Sequence, residues 1–583
     1  MDPSSSKLHT ADDVASLLGV ELDTLYRYAR RGELRGLKMG KLWRFTQADV
    51  EEFIQSRRFH GGALAGAARL LPEILDRAAR ANRPGAGIAS AEGRYSYGQI
   101  DLWSNRLAAA LMSKGVARGD RVLVVLPNSV EFVVACFAVW KAGAVLVPES
   151  TAIRPANMRH VVEDARPTAL ILGRSVAEQF EAACWPFQDL KAVFVQNQTF
   201  ALSGIESTEV ESLNAVLEAD APFDSRTWRG GQSDDIVSIT YTSGSTGLPK
   251  GVIHTHASWL AGAEFSRDYP GVTANDCIVI SLPLYHGLAF RQVLAYMMAG
   301  GSMIVATDIY QALKWLREQR PTALLLVPAA CGIMIDHFAP VLREADDHLR
   351  YVEIGSAPMS PERLNALRQL LPTTPVHLPY GLTEARVGFL ERGEEGRLNR
   401  ISGVSPGLEL RVVNGDGRPA GKGETGEIVL RGRGLMKGYW GHPADERARL
   451  EVDGFHSGDL ARVNSRGDVE LLGRMDDVLK IGGRKVIPHE VEAALNSHPA
   501  VGESAVVGRP DPKGVFELEL HAFVVLKGRG EGVTTEELLD HCRKQLEPYK
   551  LPAHVHIRKS LPKSAVGKVL KTVLQAEPQA QAG

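Results

Sequence analysis

The sequence predicts an α/β protein of several domains. A large multi-sheet α/β domain is expected in the middle, a smaller α+β domain after it and a small winged helix-turn-helix domain before it. The chain has 583 residues, too many for one hydrophobic core. Between residues 71 and 474, short β-branched runs alternate with helical stretches, which is typical of buried, largely parallel strands. We therefore predict domains at 1–58, 71–474 and 475–583, with a glycine- and alanine-rich linker at 59–70.

The overall composition argues against several classes of protein. The formal net charge is -2, so no global field attracts the whole chain to nucleic acid or membrane. The five cysteines form no CxxC pair, and we expect reduced thiols. The apolar stretch at 132–147 is interrupted by Lys141 and is too short to cross a bilayer. The first residues lack the apolar core of a secretory signal, so we expect a cytoplasmic protein without a membrane span.

The N-terminal segment has the order of a winged helix-turn-helix domain. Thr10 and Asp13 form a capping-box-like start to a first helix, and a second helix is expected from about residue 22 to residue 32. Residues 37–45 alternate around a glycine turn and predict a short hairpin. A third helix is expected at about 47–56.

A local basic patch lies within this segment. Its basic residues are Arg27, Arg30, Arg31, Arg35, Lys38, Lys41 and Arg44. Glu33 is the only acidic residue between 27 and 44. The segment resembles the excisionase and MerR-type DNA-binding domains. The resemblance implies that Arg27, Lys41 and Arg44 contact DNA, with salt-sensitive and largely sequence-independent contacts to phosphates. The alternative is a small helical cap whose arginines form a solvated surface.

A loop rich in glycine and hydroxyl groups follows an apolar strand expected at 236–240. It reads YTSGSTGLPKG over residues 241–251. Glycines let the backbone approach an anion closely, and Lys250 adds positive charge. The loop differs from a Walker phosphate loop, because Lys250 follows a proline and no GK[ST] sequence is present. The candidate phosphate-binding residues are Thr242, Ser243, Gly244, Ser245, Thr246, Gly247 and Lys250.

The order of this loop resembles the phosphate loop of the adenylate-forming superfamily, which includes acyl-CoA synthetases and nonribosomal-peptide adenylation domains. The resemblance covers about residues 71–571 and implies a large adenylation domain, a small mobile C-terminal domain, and ATP and Mg²⁺ as cofactors. Residues 380–384 read YGLTE. This motif implies that Thr383 hydrogen-bonds the α-phosphate and that Glu384 helps to hold Mg²⁺. The further nucleotide-site residues implied are Tyr380, Gly381, Gly355, Ser356 and Ala357.

Two later motifs imply the ribose site and the hinge. Residues 455–459 read FHSGD, with serine where the family commonly has threonine, and the resemblance places Asp459 on the ribose hydroxyls. Residues 473–477 read GRMDD and resemble the hinge motif. In that motif Arg474 is implied to contact ribose or phosphate, and Asp476 is implied to be the pivot of the small domain.

Two lysines are implied to serve the two half-reactions. Residues 562–568 read PKSAVGK, which matches the family motif of the adenylating lysine, Lys568. A cation there would stabilise charge on the transferring group. Rotation of the small domain about Asp476 would then withdraw Lys568 and bring in Lys480 for the thiol step.

The carboxylic acid is expected to bind near residues 283–290, which read PLYHGLAF. Amino-acid-activating relatives carry an aspartate in this region, and this stretch has none, so we expect an unaminated acid. Phe290 and the apolar residues near Val327 suit an aliphatic chain or an aromatic ring. His286 either orients the carboxylate or is a structural histidine. We favour a fatty acid, with an aryl acid as the alternative.

We therefore expect an AMP-forming acid–thiol ligase that makes an acyl-adenylate and passes the acyl group to coenzyme A. A separate carrier protein is the alternative acceptor. A hypothesis of another class is a DNA-binding regulator that senses an acid through its ligase-like body. The chemically competent residues Lys568, Glu384 and Asp459 together favour the enzyme.

Overall fold

The computed structural model divides the chain into two compact units, residues 1–67 and residues 68–583. The residues that it describes are 8–18, 25–26, 29, 34, 36–39, 42–46, 49–50, 68–180, 187, 189–197, 209–219, 230–243, 249–357, 359, 361–393, 398–441, 450–451, 453–475, 477–481, 484–511, 518–527, 532–563 and 569–577. Most of the predicted linker, 59–67, therefore lies outside the described residues, and the predicted domain boundaries stay predictions.

The N-terminal unit contains a capped helix and a three-stranded antiparallel sheet. The helix spans Ala11–Leu18, and Thr10 and Asp13 cap it reciprocally. The Asp13 amide donates to Thr10 Oγ1 at 3.1 Å, and the Thr10 amide donates to Asp13 Oδ2 at 3.0 Å. The strands, in spatial order, are Leu8–Thr10, Leu42–Thr46 and Leu37–Met39. The predicted helix start and hairpin are confirmed, and the strand Leu8–Thr10 is an additional element that was not predicted.

The second unit begins with two sheets whose strands are mostly parallel, as the sequence predicts. The first has the strand order Val210–Ser212, Ala192–Val195, Ala169–Leu172, Arg121–Val125, Val145–Pro148, Ile236–Ser243, Pro249–Thr255, Gly438–Tyr439. The second has the strand order Val376–His377, Tyr351–Ile354, Ala323–Leu326, Cys277–Ile280, Ser302–Val305, Gly87–Ser90, Gly93–Ser96. Antiparallel pairs occur at one end of each sheet.

Helices fill the space between these two sheets and cover their outer faces. Among the described residues, the helices before the C-terminal part are Leu71–Ala81, Tyr97–Ser113, Val130–Lys141, Pro155–Ala165, Arg174–Phe180, Leu213–Glu218, His256–Asp268, Gly287–Ala299, Ile309–Glu318, Pro328–His337, Ala339–Ala345 and Pro361–Leu370. Those described in the C-terminal part are Pro488–Asn496, Thr535–Arg543 and Lys571–Ala576, with a 3₁₀ turn at Pro548–Lys550. Helix Val130–Lys141 is buried along nearly its whole length, in one core with residues of both sheets. A helix that is apolar on all sides is expected in such a position, and it accounts for the apolar stretch at 132–147.

A third sheet corrects the expectation of largely parallel strands up to residue 474. It is antiparallel, with the strand order Pro379–Gly381, Arg386–Arg392, Leu398–Ser402, Val469–Arg474, Gly454–Val463, Thr425–Gly432, Leu408–Val413, and Leu450–Glu451 pairs with its fifth strand. Strand Gly454–Val463 of this sheet alternates buried and partly exposed residues. Alternation of this kind is typical of an antiparallel sheet with one solvated face.

The C-terminal part has the α+β character that the sequence predicts. Strands Leu479–Ile481 and Arg484–Val486 form a hairpin. Strand Leu518–Leu526 lies in the middle of a separate sheet, antiparallel to Val501–Pro510 and parallel to His554–Arg558. Helices Pro488–Asn496 and Thr535–Arg543 share an apolar core with this sheet.

The sequence predicts no membrane span and reduced cysteine thiols. Among the described residues, no helix is both long enough and apolar enough to cross a membrane. The described cysteines, Cys136, Cys277, Cys331 and Cys542, are free thiols. Burial raises the pKa of the Cys331 thiol to about 12 and that of Cys542 to about 11, so both stay protonated at neutral pH.

Candidate active site

The candidate phosphate loop connects two antiparallel strands. Strand Ile236–Ser243 pairs with Pro249–Thr255, and the register sets Thr242 opposite Lys250 at the end of the hairpin. A Walker loop leads from a strand into a helix, so the local fold agrees with the sequence argument against one. The predicted loop residues outside the described part are Gly244, Ser245, Thr246, Gly247 and the side chain of Ser243.

The base of this hairpin is held by contacts that no sequence motif revealed. The Tyr241 hydroxyl donates to Asp164 Oδ2 at 2.5 Å, and the Trp440 indole donates to the Asp164 backbone oxygen at 3.1 Å. His160 Nε2 lies 2.8 Å from the backbone oxygen of Pro249. Asp164 lies 77 residues before Tyr241, so only the tertiary fold brings these side chains together.

Glu384 is held in place by a tyrosine from the neighbouring sheet. Strand Gly438–Tyr439 pairs with the phosphate-loop hairpin, and the Tyr439 hydroxyl donates to Glu384 Oε1 at 2.7 Å. The carboxyl group is largely buried, and Glu384 directly follows Thr383. A hard carboxylate oxygen in a fixed position has the chemistry that Mg²⁺ requires, so the residues present fit the cofactor that the family resemblance implies.

Thr383 is tied to the same hairpin through a buried histidine. The side chain of His254, on strand Pro249–Thr255, hydrogen-bonds the backbone of Thr383. Burial, with a smaller contribution from the positive charge of Arg291, lowers the pKa of His254 to about 3. His254 is therefore neutral at physiological pH, and it connects the phosphate-loop hairpin to the YGLTE motif without adding charge.

Asp459 is the centre of a compact polar cluster. The Tyr380 hydroxyl donates to Asp459 Oδ2 at 2.6 Å, and the Arg474 guanidinium donates to Asp459 Oδ1 at 2.9 Å. The Asp459 amide donates to Ser457 Oγ at 3.0 Å, and that hydroxyl donates to the Ile428 backbone oxygen at 2.7 Å. Serine therefore supplies the hydroxyl where threonine is common. The structure brings together three predicted site residues, Tyr380, Asp459 and Arg474.

A second carboxylate supports this cluster from behind. Glu427 Oε1 accepts from the Gly458 amide at 2.7 Å, and Glu427 Oε2 lies 2.9 Å from His456 Nδ1. Gly458 has a φ of 73°, a conformation that favours glycine. Burial alone would lower the pKa of His456, but the hydrogen bonds to Glu427 and Asp453 outweigh it, and the pKa is raised. Glu427 lies outside every sequence motif, so its role was not predicted.

The loop of Gly355, Ser356 and Ala357, which the family resemblance places on the adenine side of the site, follows the end of strand Tyr351–Ile354. A Cβ atom on Gly355 would lie 2.6 Å from Leu288 Cδ2 and 2.7 Å from Pro379 Cγ, so only glycine lets these segments approach so closely. Ser356 has a φ of 74°, and its buried hydroxyl has no hydrogen-bond partner among the described residues. A strained residue with an unsatisfied hydroxyl is a reasonable contact for a ligand.

One buried carboxylate, Glu353, connects three segments of the site. It lies on the strand that leads into the adenine-side loop, and it is fully buried. Gln292, on helix Gly287–Ala299, which begins within the acid region, donates to Glu353 Oε2 at 3.0 Å. Arg386, two residues after Glu384, lies 3.5 Å from Glu353 Oε1 and also packs over the Phe389 ring at 4.6 Å. Burial raises the pKa of Glu353 and lowers that of Arg386, because both charges are removed from water.

Arg291 adds a further buried positive charge beside this network. It packs over the Trp259 ring at 5.4 Å, and its Nε is buried without a hydrogen-bond partner among the described residues. Burial, and then the charge of Arg386, lowers the pKa of Arg291 to about 9. The same charge acts on His286, whose pKa burial and Arg291 together lower to about 4. His286 is therefore a neutral side chain at physiological pH.

The two residues predicted to contact the acid occupy different environments. His286 is the residue before helix Gly287–Ala299 and is partly exposed. Phe290, one turn later, is 3% exposed and packs edge-on against Phe132, Trp140 and Trp259. Phe290 therefore belongs to the core in this structure, and contact between its ring and the acid stays a prediction.

Several predicted residues cannot be placed. Asp476, Lys568, Arg27 and Lys41 and the side chain of Lys480 lie outside the described residues, and Lys480 is described only as part of strand Leu479–Ile481. Arg44 lies on strand Leu42–Thr46 and donates to the Trp43 backbone oxygen at 2.9 Å. The hinge, catalytic-lysine and DNA-contact roles therefore stay predictions.

The Glu353 network makes a prediction about stability. Removing the carboxylate in Glu353→Ala leaves Arg386 buried without its partner, which we expect to lower the free energy of unfolding by about 3–5 kcal/mol. The control is Glu391→Ala, on the same strand as Arg386, because Glu391 pairs with Arg400 at the surface and its loss should cost about 1 kcal/mol or less. Urea unfolding followed by tryptophan fluorescence measures both. Equal losses in the two variants would contradict the proposed role of Glu353.

Comparisons with known proteins agree with this geometry. The AMP-binding enzyme family matches residues 75–440, its C-terminal domain matches residues 490–568, and a helix-turn-helix domain matches residues 10–58. The chain is 32% identical to 4-coumarate–CoA ligase 2 of Oryza sativa subsp. japonica, over 84% of this chain and 89% of that protein. It is 30% identical to long-chain-fatty-acid–CoA ligase FadD13 of Mycobacterium tuberculosis, over 84% of this chain and 94% of that protein.

Solved structures show the same fold. A benzoate CoA ligase from Burkholderia xenovorans LB400 superposes with a TM-score of 0.76 at 25% identity, over 87% of this chain and 99% of that chain. The large adenylation domain and the small C-terminal domain expected from the sequence are thereby confirmed, as is a helix-turn-helix domain at the N-terminus. From its sequence, its fold and its relatives, the chain is an enzyme of the AMP-binding family that carries an N-terminal helix-turn-helix domain.

Proposed function

We propose that this enzyme joins an unaminated carboxylic acid to coenzyme A in two steps. In the first, a carboxylate oxygen forms a bond to the α-phosphorus of ATP and pyrophosphate leaves. In the second, the coenzyme A thiol sulfur attacks the acyl carbon, loses its proton, and AMP leaves. The observation that carries the proposal is that the phosphate-loop hairpin, Thr383–Glu384 and the Asp459 cluster lie in one unit. The relatives, which are named as CoA ligases, support it.

Most of the catalysis in the first step comes from binding and orienting the reactants. Thr242 and Lys250 lie at the base of the phosphate loop, where an ammonium group offsets phosphate charge. Asp459 is held as a carboxylate acceptor by Tyr380 and Arg474, which suits two ribose hydroxyls. Glu384 is the residue that would hold Mg²⁺, which neutralises phosphate charge when bound. Fixed groups of this kind stabilise a phosphoryl-transfer transition state through positioning and charge.

The second step requires a different set of residues. Lys568 serves the adenylation step, and rotation of the small domain about Asp476 replaces it with Lys480 and the glycines at 482–483. The fixed point for this movement is Arg474, because its guanidinium bonds both Asp459 and the Ser457 backbone oxygen, at 2.9 and 3.0 Å. A conformational switch of this type lets one site catalyse two reactions in turn.

A fatty acid is the first candidate substrate, and an aryl acid is the second. The relatives support both, since one is named as a long-chain-fatty-acid–CoA ligase and another as a 4-coumarate–CoA ligase. The absence of an acidic residue at 283–290 supports an unaminated acid of either class. Coenzyme A is the proposed acceptor, with a separate carrier protein as the alternative. The free thiols suit a reducing compartment, so we propose a cytoplasmic location.

DNA binding is a second candidate function, and the match of residues 10–58 to a helix-turn-helix domain favours it. In this proposal the basic patch contacts DNA phosphates and the attached enzyme works, or senses its acid, at that place. Arg44 is the member of the patch whose side chain the structure describes, and Lys38 is described only as part of strand Leu37–Met39.

The adenylation proposal predicts ATP–pyrophosphate exchange that depends on an acid. Among fatty, aryl and amino acids, exchange is expected with an unaminated class. Lys568→Ala is expected to bind ATP but to lose exchange by about 100-fold or more, because a cation at the transferring group is removed. The matched control is Lys563→Ala, in the same motif, where Lys563 pairs with Glu503 at 2.7 Å. Exchange by Lys568→Ala at the parental rate would refute the assignment of this lysine.

The domain rotation predicts a variant that separates the two steps. Lys480→Ala is expected to keep the parental exchange rate and to slow thioester formation by up to about 100-fold, because only the second conformation uses this residue. Single-turnover formation of acyl-CoA from preformed adenylate measures the second step. Equal damage to exchange and to thioester formation would contradict the rotation about Asp476.

The DNA proposal predicts binding that weakens steeply with salt. The full chain is expected to shift a mixed-sequence duplex at about 50 mM salt and to release it at higher salt, since counterions compete for phosphates. Arg44→Ala should weaken binding and reduce the salt slope by about 1. The control is Arg411→Ala, an exposed arginine of the second unit paired with Glu409. An unshifted duplex at the lowest salt would eliminate this second function.

A further inference from the structure

The small domain contains a group of histidine and glutamate side chains that the ligase reaction does not use. Glu519 and His521 lie on strand Leu518–Leu526, and His554 and His556 lie on strand His554–Arg558. The two strands are parallel neighbours, with His521 opposite His554. Alternate residues of a strand point to the same face of a sheet, so all four side chains share one face.

Three of these side chains have ligand atoms at separations suited to one metal ion. Glu519 Oε1 lies 2.9 Å from His521 Nε2 and 3.2 Å from His554 Nε2. One ligand atom from each of the three residues lies within 4.8 Å of the others. Two ligands of a tetrahedral zinc ion, each about 2.0–2.1 Å from it, are roughly 3.3 Å apart. Small side-chain movements would therefore complete a three-residue site.

The surroundings supply the other features of a metal centre. His556 Nε2 lies 2.9 Å from His521 Nδ1, the ring nitrogen on the side away from Glu519. A partner of this kind fixes the orientation of a metal-bound imidazole. The side chain of His521 is 4% exposed, whereas that of His554 is 51% exposed. An ion can therefore reach the site from solvent, and one of its coordination positions stays open to water.

The charged side chains around the three ligand residues balance one another. Arg509 and Arg558 pack over the Phe523 ring, at 4.9 and 5.5 Å, on the same face. The Arg558 guanidinium bonds Glu577 at 2.7 Å, and Arg509 lies 3.8 Å from the same carboxylate. Glu577 and Glu519 together offset the two arginines, so a bound ion does not face an unbalanced positive charge.

We propose that Glu519, His521 and His554 bind a divalent transition metal ion of the zinc type, with His556 as the supporting hydrogen-bond partner. Two imidazole nitrogens and one carboxylate suit zinc, cobalt or nickel, whereas Mg²⁺ and Ca²⁺ prefer sites made of oxygen ligands. The ion joins the second and third strands of the small domain's sheet. The site is separate from the residues proposed to bind ATP and acid.

The test measures zinc retained by the tag-free full chain. Protein is stripped with a chelator, dialysed against zinc chloride and then against buffer, and its metal content is measured by mass spectrometry. The parent chain is expected to retain one equivalent that His554→Ala and Glu519→Gln lose. His556→Ala should weaken binding about 10–100-fold, the range for loss of a supporting partner.

A matched variant controls for adventitious binding by histidines. His541 lies in the same domain, with its ring 5.0 Å from that of His498, so His541→Ala also removes one member of a histidine pair. It should retain the zinc equivalent, and zinc should raise its melting temperature as in the parent. Zinc should leave the melting temperature of His554→Ala unchanged. No retained zinc in the parent, or equal retention by the parent and His554→Ala, would overturn the proposal, and neither outcome depends on ligase activity.

Discussion

The geometry of the candidate site depends on one buried carboxylate. Glu353 lies near the end of a strand in the second sheet. It accepts hydrogen bonds from Gln292, on the helix that begins within the acid region, and from Arg386, on the strand after the YGLTE motif. The acid region, the adenine-side loop and the Thr383–Glu384 segment are far apart in sequence. A charge in the core is costly unless it is paired, so each of these segments is constrained to the position that satisfies Glu353.

A second constraint fixes the phosphate-loop hairpin against the same motif. His254 bonds the backbone of Thr383, while Tyr439 pairs through its strand with the hairpin and through its hydroxyl with Glu384. The side chains of His254 and Tyr439 are both uncharged. They therefore hold the hairpin and the YGLTE motif together without changing the charge offered to a phosphate. Lys250 and Glu384 are the residues proposed to bind phosphate and Mg²⁺. The two segments that carry them are held together by these contacts of His254 and Tyr439.

The parts of the site that could be predicted from the sequence are those formed by short local motifs. The phosphate loop, YGLTE, FHSGD and GRMDD each occupy a short continuous segment, and the described members Tyr380, Asp459 and Arg474 meet in space. Partners such as Asp164, Glu353 and Glu427 could not be found in this way, because each lies far along the chain from what it holds and has no pattern around it. The antiparallel third sheet was missed for a related reason, since strand pairing is a long-range property.

The position of the predicted pivot follows from where these constraints end. Arg474 closes the last strand of the third sheet, and its guanidinium is bonded to Asp459 and to the Ser457 backbone. The next amide, that of Met475, donates to the Gly458 oxygen at 2.8 Å, so the chain is fixed to the ribose-site loop up to this residue. The proposed rotation of the small domain would change backbone angles beyond this bond to the Gly458 oxygen. Asp476 comes directly after Met475 in the sequence, which is a physical reason to place the proposed pivot at this point in the chain.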